Sequence, residues 1–198
     1  SEMCIRNSDG TCSEDPAASS EEHFTAGGAL LQAWASIKSF RPKDEEDPPS
    51  SGGRNAAADF HNQRRSNETH ASKTDPEARL AKKSSGQEAR LSYGGHLLTE
   101  NRNGLIVDAE LCEANGTAER DIALRLIDRQ KLKPGCTLGA DKAYDTRRFV
   151  DALNERGIVP HIAQNARGGK NGRHSSVPDE IAATEGYAIS QRRRKLVE

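Results

Sequence analysis

The chain has 198 residues, of which 33% are hydrophobic, 4% aromatic and 30% charged, with a formal net charge of −1. That is enough for one domain of ordinary size with a small core, and part of the chain is expected to stay outside it. Bulk charge does not announce a nucleic-acid binder, so any DNA contact must come from local basic patches, and no apolar run approaches the ~20 residues that span a bilayer as a helix.

Residues 1–22 are polar and aperiodic and read as a disordered or unrelated N-terminal segment. The segment HFTAGGALLQAWAS, 23–36, reads as a strand followed by a turn, weakened by Gly27-Gly28, which pack nothing. Residues 41–90 are dominated by Pro, Ser, Gly and charge and read as a long polar insertion after the first strand. From Leu91 the pattern becomes two strands joined by Asn101-Arg102-Asn103-Gly104, a hairpin signal.

A helix follows, capped near Thr117, with Ile122, Leu126 and Ile127 on one face and Lys133-Pro134-Gly135 stopping it. CTLGAD reads as a short buried strand. Asp145 or Thr146 caps a second helix bearing Phe149, Val150 and Leu153, which Gly157 closes. IVPHIA is another strand, 165–186 a loop with a helical turn after Pro178, and YAISQRRRKLVE a final helix. A hairpin followed by alternating helix and strand predicts an α/β fold, a ribonuclease H-like mixed sheet flanked by helices.

Asp141 ends an apolar strand, where ligands of open α/β sheets bind. Glu198 lies four residues after Arg194 and shares its helix face. Taken alone, the first is an ordinary loop Asp and the second half of a surface ion pair; Asp108, Glu110 and Asp75 have no greater weight. Two basic patches, Arg167/Lys170/Arg173 and Arg192-Arg193-Arg194-Lys195, are by themselves solvated surface. Cys4, Cys12, Cys112 and Cys136 have no CxxC spacing and read as free thiols in a reducing cytosol. The six histidines are scattered and complete no zinc pattern, and His96 and Tyr93 read as packing residues.

Together, HFT..GALLQAWAS, RNAAADFHNQRRSNETHASKTDPEARLAKKS, LSYGGHLLTENRNGLIVDAELCEANGT, GTAERDIALRLIDR, LGADKAYDTRRFVDAL and GYAISQRRRKLVE resemble bacterial insertion-sequence transposases of the DDE type, insertion sequence five group. The resemblance runs from about His23 to Glu198, so 23–198 is expected to be the catalytic core. It implies DNA transposition by metal-dependent phosphoryl transfer, with three carboxylates holding two Mg²⁺ (or Mn²⁺) ions that stabilise the attacking and leaving oxygens. Asp141 and Glu198 match the second and third carboxylates, as catalytic residues and metal ligands, and Arg194 keeps the family's spacing to the Glu. Arg192, Arg193, Arg194 and Lys195 then flank the Glu where a DNA backbone would approach. The implied partners are DNA, as insertion-sequence ends and target, and a second copy of the chain, in the cytoplasm.

Three departures matter. The family places an Asp in its first strand where this chain has Gly27, a Tyr where it has Gln191, and a Lys seven residues beyond the Glu, where this sequence has ended. In the expected strand order Asp108 would lie two strands from the first, roughly 10 Å at ~4.8 Å per strand, too far to share the ion. The first residue is Ser rather than Met, which with the short tail suggests a partial copy. The expectation is a catalytically impaired transposase; the alternatives are a non-catalytic DNA-binding remnant and a stand-alone metal-dependent nuclease of the same fold.

Overall fold

A computed structural model describes residues 22–44, 66–83, 86–115, 118–165 and 174–195. The chain divides into two compact units, one of 1–29, 95–111 and 116–198, the other of 30–94 and 112–115.

Strand β1 (His23–Gln32) begins in the first unit, as do the later parts of β5 (Arg90–Glu100) and most of β6 (Leu105–Glu113). They are followed by α1 (Ala118–Gln130), β7 (Thr137–Ala140), α2 (Arg147–Glu155), β8 (Val159–Ile162), α3 (Asp179–Ala182) and α4 (Glu185–Arg194). The strand order is β6-β5-β1-β7-β8. β1, β7 and β8 run parallel, pairing Thr25 with Gly139 and Gly139 with His161. The Asn101 amide bonds the carbonyl of His23 at 2.9 Å, on the β5 side of β1. This mixed α/β sheet with helices on it is the ribonuclease H-like arrangement that the element order predicts.

Side chains alternate across the strands. Phe24, Ala26, Leu138, Ala140 and Ile162 are buried with Ile122, Leu126 and Ile127 of α1 and Phe149, Val150 and Leu153 of α2. The other face carries Thr25, Gly139 and His161 under α4: a Cβ on Gly139 would lie 3.1 Å from Thr25 Oγ1 and 3.9 Å from the Ser190 carbonyl oxygen. His161 Nδ1 and Ser190 Oγ are 2.7 Å apart.

The double glycine does not interrupt β1. A Cβ at Gly28 would come within 3.1 Å of the His96 ring, so the glycine lets β1 and that ring approach closely and a larger residue would push the ring by a few tenths of an ångström. The hairpin turn falls at 101–104, with Gly104 at φ 71. Helix α1 stops earlier than Lys133-Pro134-Gly135, because Lys131 already turns left-handed at φ 51. Asp145 does not cap α2, and Thr146 sits at the cap position with no side-chain cap bond. The Asp145 carboxylate instead accepts Asn165 N–H at 2.7 Å and Ser176 N–H at 2.8 Å, tying both flanks of 166–173 to one buried acid.

In the second unit, part of the stretch read as polar insertion forms strands. β2 (Phe40–Pro42) pairs antiparallel with β3 (His70–Ser72), and β4 (Arg79–Ala81) with residues 90–92 of β5. Ala33, Phe40, Ala78 and Leu91 make a small core with Leu80 and Tyr93 against it. Asp75 accepts the Tyr93 hydroxyl at 2.5 Å, so it is occupied structurally; that bond, with burial, pushes the Tyr93 phenol up to about 12.

Candidate functional site

The β1–β7 pairing positions the site. Its register pairs His23 with Thr137, Phe24 with Leu138 and Thr25 with Gly139. Carried two residues on, it brings Gly27 level with Asp141 and on the α4 face, about 4.8 Å away strand to strand. A Cβ at Gly27 would meet nothing within 4 Å. The place where the resemblance calls for a carboxylate is therefore open.

Asp141 follows β7 and starts the 3-10 turn Lys142–Tyr144, where its Oδ1 accepts Ala143 N–H at 2.7 Å. It is half-buried at the strand end, the position expected from sequence. Glu198 lies outside the described residues, as do Arg167, Lys170, Arg173, Cys4 and Cys12.

Glu119, read from sequence only as an acid in the first turn of α1, belongs to the same neighbourhood. A Cβ at Gly28 would lie 3.4 Å from its Oε1. Burial, and then the charge of Asp141, hold the Glu119 carboxyl above the usual carboxylate range. Gly28 follows the strand parity of Phe24 and Ala26, so Glu119 approaches from the α1 face, opposite to Gly27. Its neighbours here, Asp141 and Gly28, are distant from it in the chain, where no sequence pattern pointed.

The other acids are spoken for. Burial works to raise the Asp108 carboxyl, but hydrogen bonds from Arg129, Gln130 and Ala109 N–H outweigh it and hold it below its ordinary range. Arg129 grips both Asp108 oxygens at 2.7 Å. Glu110 pairs with Arg125 and Arg129. Among the described residues no group of three or more His, Cys, Asp or Glu could hold a metal ion. Among the described residues, Asp141 with Gly27 beside it does not by itself supply the ligands of a two-ion site.

Helix α4 starts two residues before Tyr187, where Thr184 Oγ1 accepts Tyr187 N–H at 3.2 Å. Tyr187 donates to the Ile162 carbonyl at 2.9 Å, and Gln191 donates to the His161 carbonyl at 2.5 Å. These bonds fix α4 over β8. In the basic run at its end, Arg192, Arg193 and Lys195 are exposed, whereas Arg194 is half-buried. Cys112 and Cys136 are free thiols, and Cys136 is buried. No helix among the described residues is long and apolar enough to cross a membrane.

A family model, the transposase DDE domain, matches residues 60–196, more than half of the chain. No curated protein and no solved structure matches it.

Proposed function

This chain belongs to the transposase DDE domain family, and from that premise we propose that it is an insertion-sequence transposase of the insertion sequence five group that has lost strand-cutting activity. The family acts in DNA transposition and ordinarily uses divalent metal ions. The finer reading is that this chain contacts insertion-sequence ends and target DNA in the cytoplasm, as single or paired copies, and that Mg²⁺ or Mn²⁺ is the ion of its intact relatives. Residues 23–198 form the core in this reading, with Asp141 and Glu198 as its remaining carboxylates and Arg192 to Lys195 beside the DNA.

The observation that carries the impairment is the open position at Gly27 level with Asp141. A glycine offers no oxygen, so an ion shared between the first two carboxylates would lose one side of its cage. Neither Asp108, held by Arg129, nor Glu119, on the opposite face, replaces it. The same observation favours a second reading, a non-catalytic protein that keeps only DNA contact.

Cleavage of labelled duplexes carrying the insertion-sequence ends separates the two. With Mg²⁺ or Mn²⁺ the natural chain should cut nothing, and Gly27→Asp should restore cutting if the site is that of a transposase. Cutting by the natural chain would overturn the impairment. Continued silence of Gly27→Asp would favour the non-catalytic reading.

A further inference from the structure

A cavity of about 340 Å³ opens at the end of the hairpin, lined by Leu97, Thr99, Asn101, Arg102, Gly104 and Arg193 among others. That is near the lower end for small-ligand pockets, roughly 300–1,000 Å³. Two features separate it from a surface dent.

First, it contains unspent polar groups. Thr99 is 1% exposed and Asn101 7% exposed. Neither Thr99 Oγ1 nor Asn101 Nδ2 has a hydrogen-bond partner among the described residues. Burying such atoms unpaired is costly, so a site that keeps them is shaped for a ligand that pairs them. The Thr25 hydroxyl donates to Asn101 Oδ1 at 2.7 Å. The amide is thereby oriented, and Nδ2, a donor, is what remains for a ligand.

Second, the charged groups on the wall are both guanidinium. Arg193 makes no side-chain hydrogen bond or ion pair among the described residues. Arg102 touches Glu22 at 3.1 Å, but the two side chains are 61% and 65% exposed, so the pair is weak and exchangeable. The nearby Glu100 is buried, and its oxygens accept Arg102 N–H at 2.5 Å and Asn103 N–H at 2.9 Å. It shapes the turn. Residues carrying an amide N–H, a hydroxyl and two guanidinium groups line this one cavity, a donor set that matches a tetrahedral oxyanion.

We propose that this cavity binds a backbone phosphate of DNA, with Arg193, Arg102, Asn101 Nδ2 and Thr99 Oγ1 as its contacts. The choice of DNA as the source of the phosphate rests on the reading of the chain as a DNA-contacting transposase. Asn101, just past the end of β5, is bonded by Thr25, and Thr99 shares its strand parity, so both lie on the side of the Thr25–Gly139 face, which would seat the DNA strand on the same sheet face as Gly27 and Asp141.

The test uses the full chain, a fluorescein-labelled 20-base-pair duplex and, separately, inorganic phosphate. Arg193→Ala and Asn101→Asp should each weaken duplex binding about tenfold at low salt and lower the salt slope by about one. Arg147→Ala removes an equal charge on α2, away from the cavity, and should change affinity less than twofold. The Asn101 side-chain amide resonance should move with duplex and with phosphate. Should Asp at position 101 unfold the hairpin, Arg193, exposed on α4, still decides the matter. Duplex binding that is as insensitive to both variants as to Arg147→Ala overturns the cavity while leaving DNA contact intact. An amide that moves with phosphate while the variants keep full duplex affinity overturns it as a DNA site. A natural chain that binds no duplex overturns the DNA reading itself.

Discussion

The parallel β1–β7 register, continued two residues past the Thr25–Gly139 pair, sets Gly27 level with Asp141, and among the described residues, its chain neighbours aside, nothing lies within 4 Å of where its Cβ would be. Glycine in a strand costs roughly 0.5–1 kcal/mol in backbone entropy relative to alanine. Gly27→Ala should therefore stabilise the fold by about that much, and Gly27→Asp should lose most of the gain to repulsion from Asp141. Urea unfolding of the three proteins measures this. Destabilisation by alanine beyond ~1 kcal/mol would mean that the position is closed.

Asp108 is a structural acid on this account. Its side chain is 7% exposed, and Arg129, half exposed, holds both of its oxygens. Asp108→Ala should cost roughly 1–3 kcal/mol of stability and leave divalent-ion affinity unchanged. Loss of ion binding without loss of stability would make Asp108 a ligand instead.

His161 makes the fold sensitive to acid. Burial first, and the neighbouring His23 second, lower it from 6.5 to about 4. The unfolded chain takes up this proton near pH 6.5 and the folded chain only near pH 4. The contribution is thus complete above about pH 6.5 and is lost as pH falls towards 4, by up to roughly 3 kcal/mol. His161→Gln should flatten the dependence of the urea midpoint on pH across that window. An unchanged slope would show that His161 protonates freely in the folded state.

Asp145 joins two distant backbone amides, those of Asn165 and Ser176, and is fully buried. Asp145→Ala strands both donors and should cost about 3 kcal/mol. Hydrogen exchange should quicken at those two amides before it does in α2. Uniform quickening along α2 would restore the cap role that position alone suggested.

The fold was legible where the determinants are local. Asn103-Gly104 marks the hairpin because Gly104 adopts φ 71, and the spacing of Ile122, Leu126 and Ile127 marks the buried face of α1. Gly157 closes α2 at φ 69, and there a Cβ would also strike Pro134 at 2.9 Å. What escaped depends on partners far apart in the chain. The His96 ring explains Gly28 only across β1 and β5. Of the core of Ala33, Phe40, Ala78 and Leu91, only Ala78 lies within the stretch read as polar insertion, and the contacts that unite the four join residues far apart in the chain. Asp141 stands out in the sequence by its strand end, and Gly27 only as the place where the resemblance calls for an acid. Glu119 and the hairpin cavity carried no pattern that a single sequence displays.

The most direct test is Mn²⁺ titration of the natural chain, Gly27→Asp, and Gly27→Asp combined with Asp141→Asn, followed by electron paramagnetic resonance. Gly27→Asp should bind the ion at least tenfold more tightly than the natural chain, and the Asn change should abolish the gain. No gain from Gly27→Asp, or a gain that survives without the Asp141 carboxylate, would contradict the pairing of these two positions.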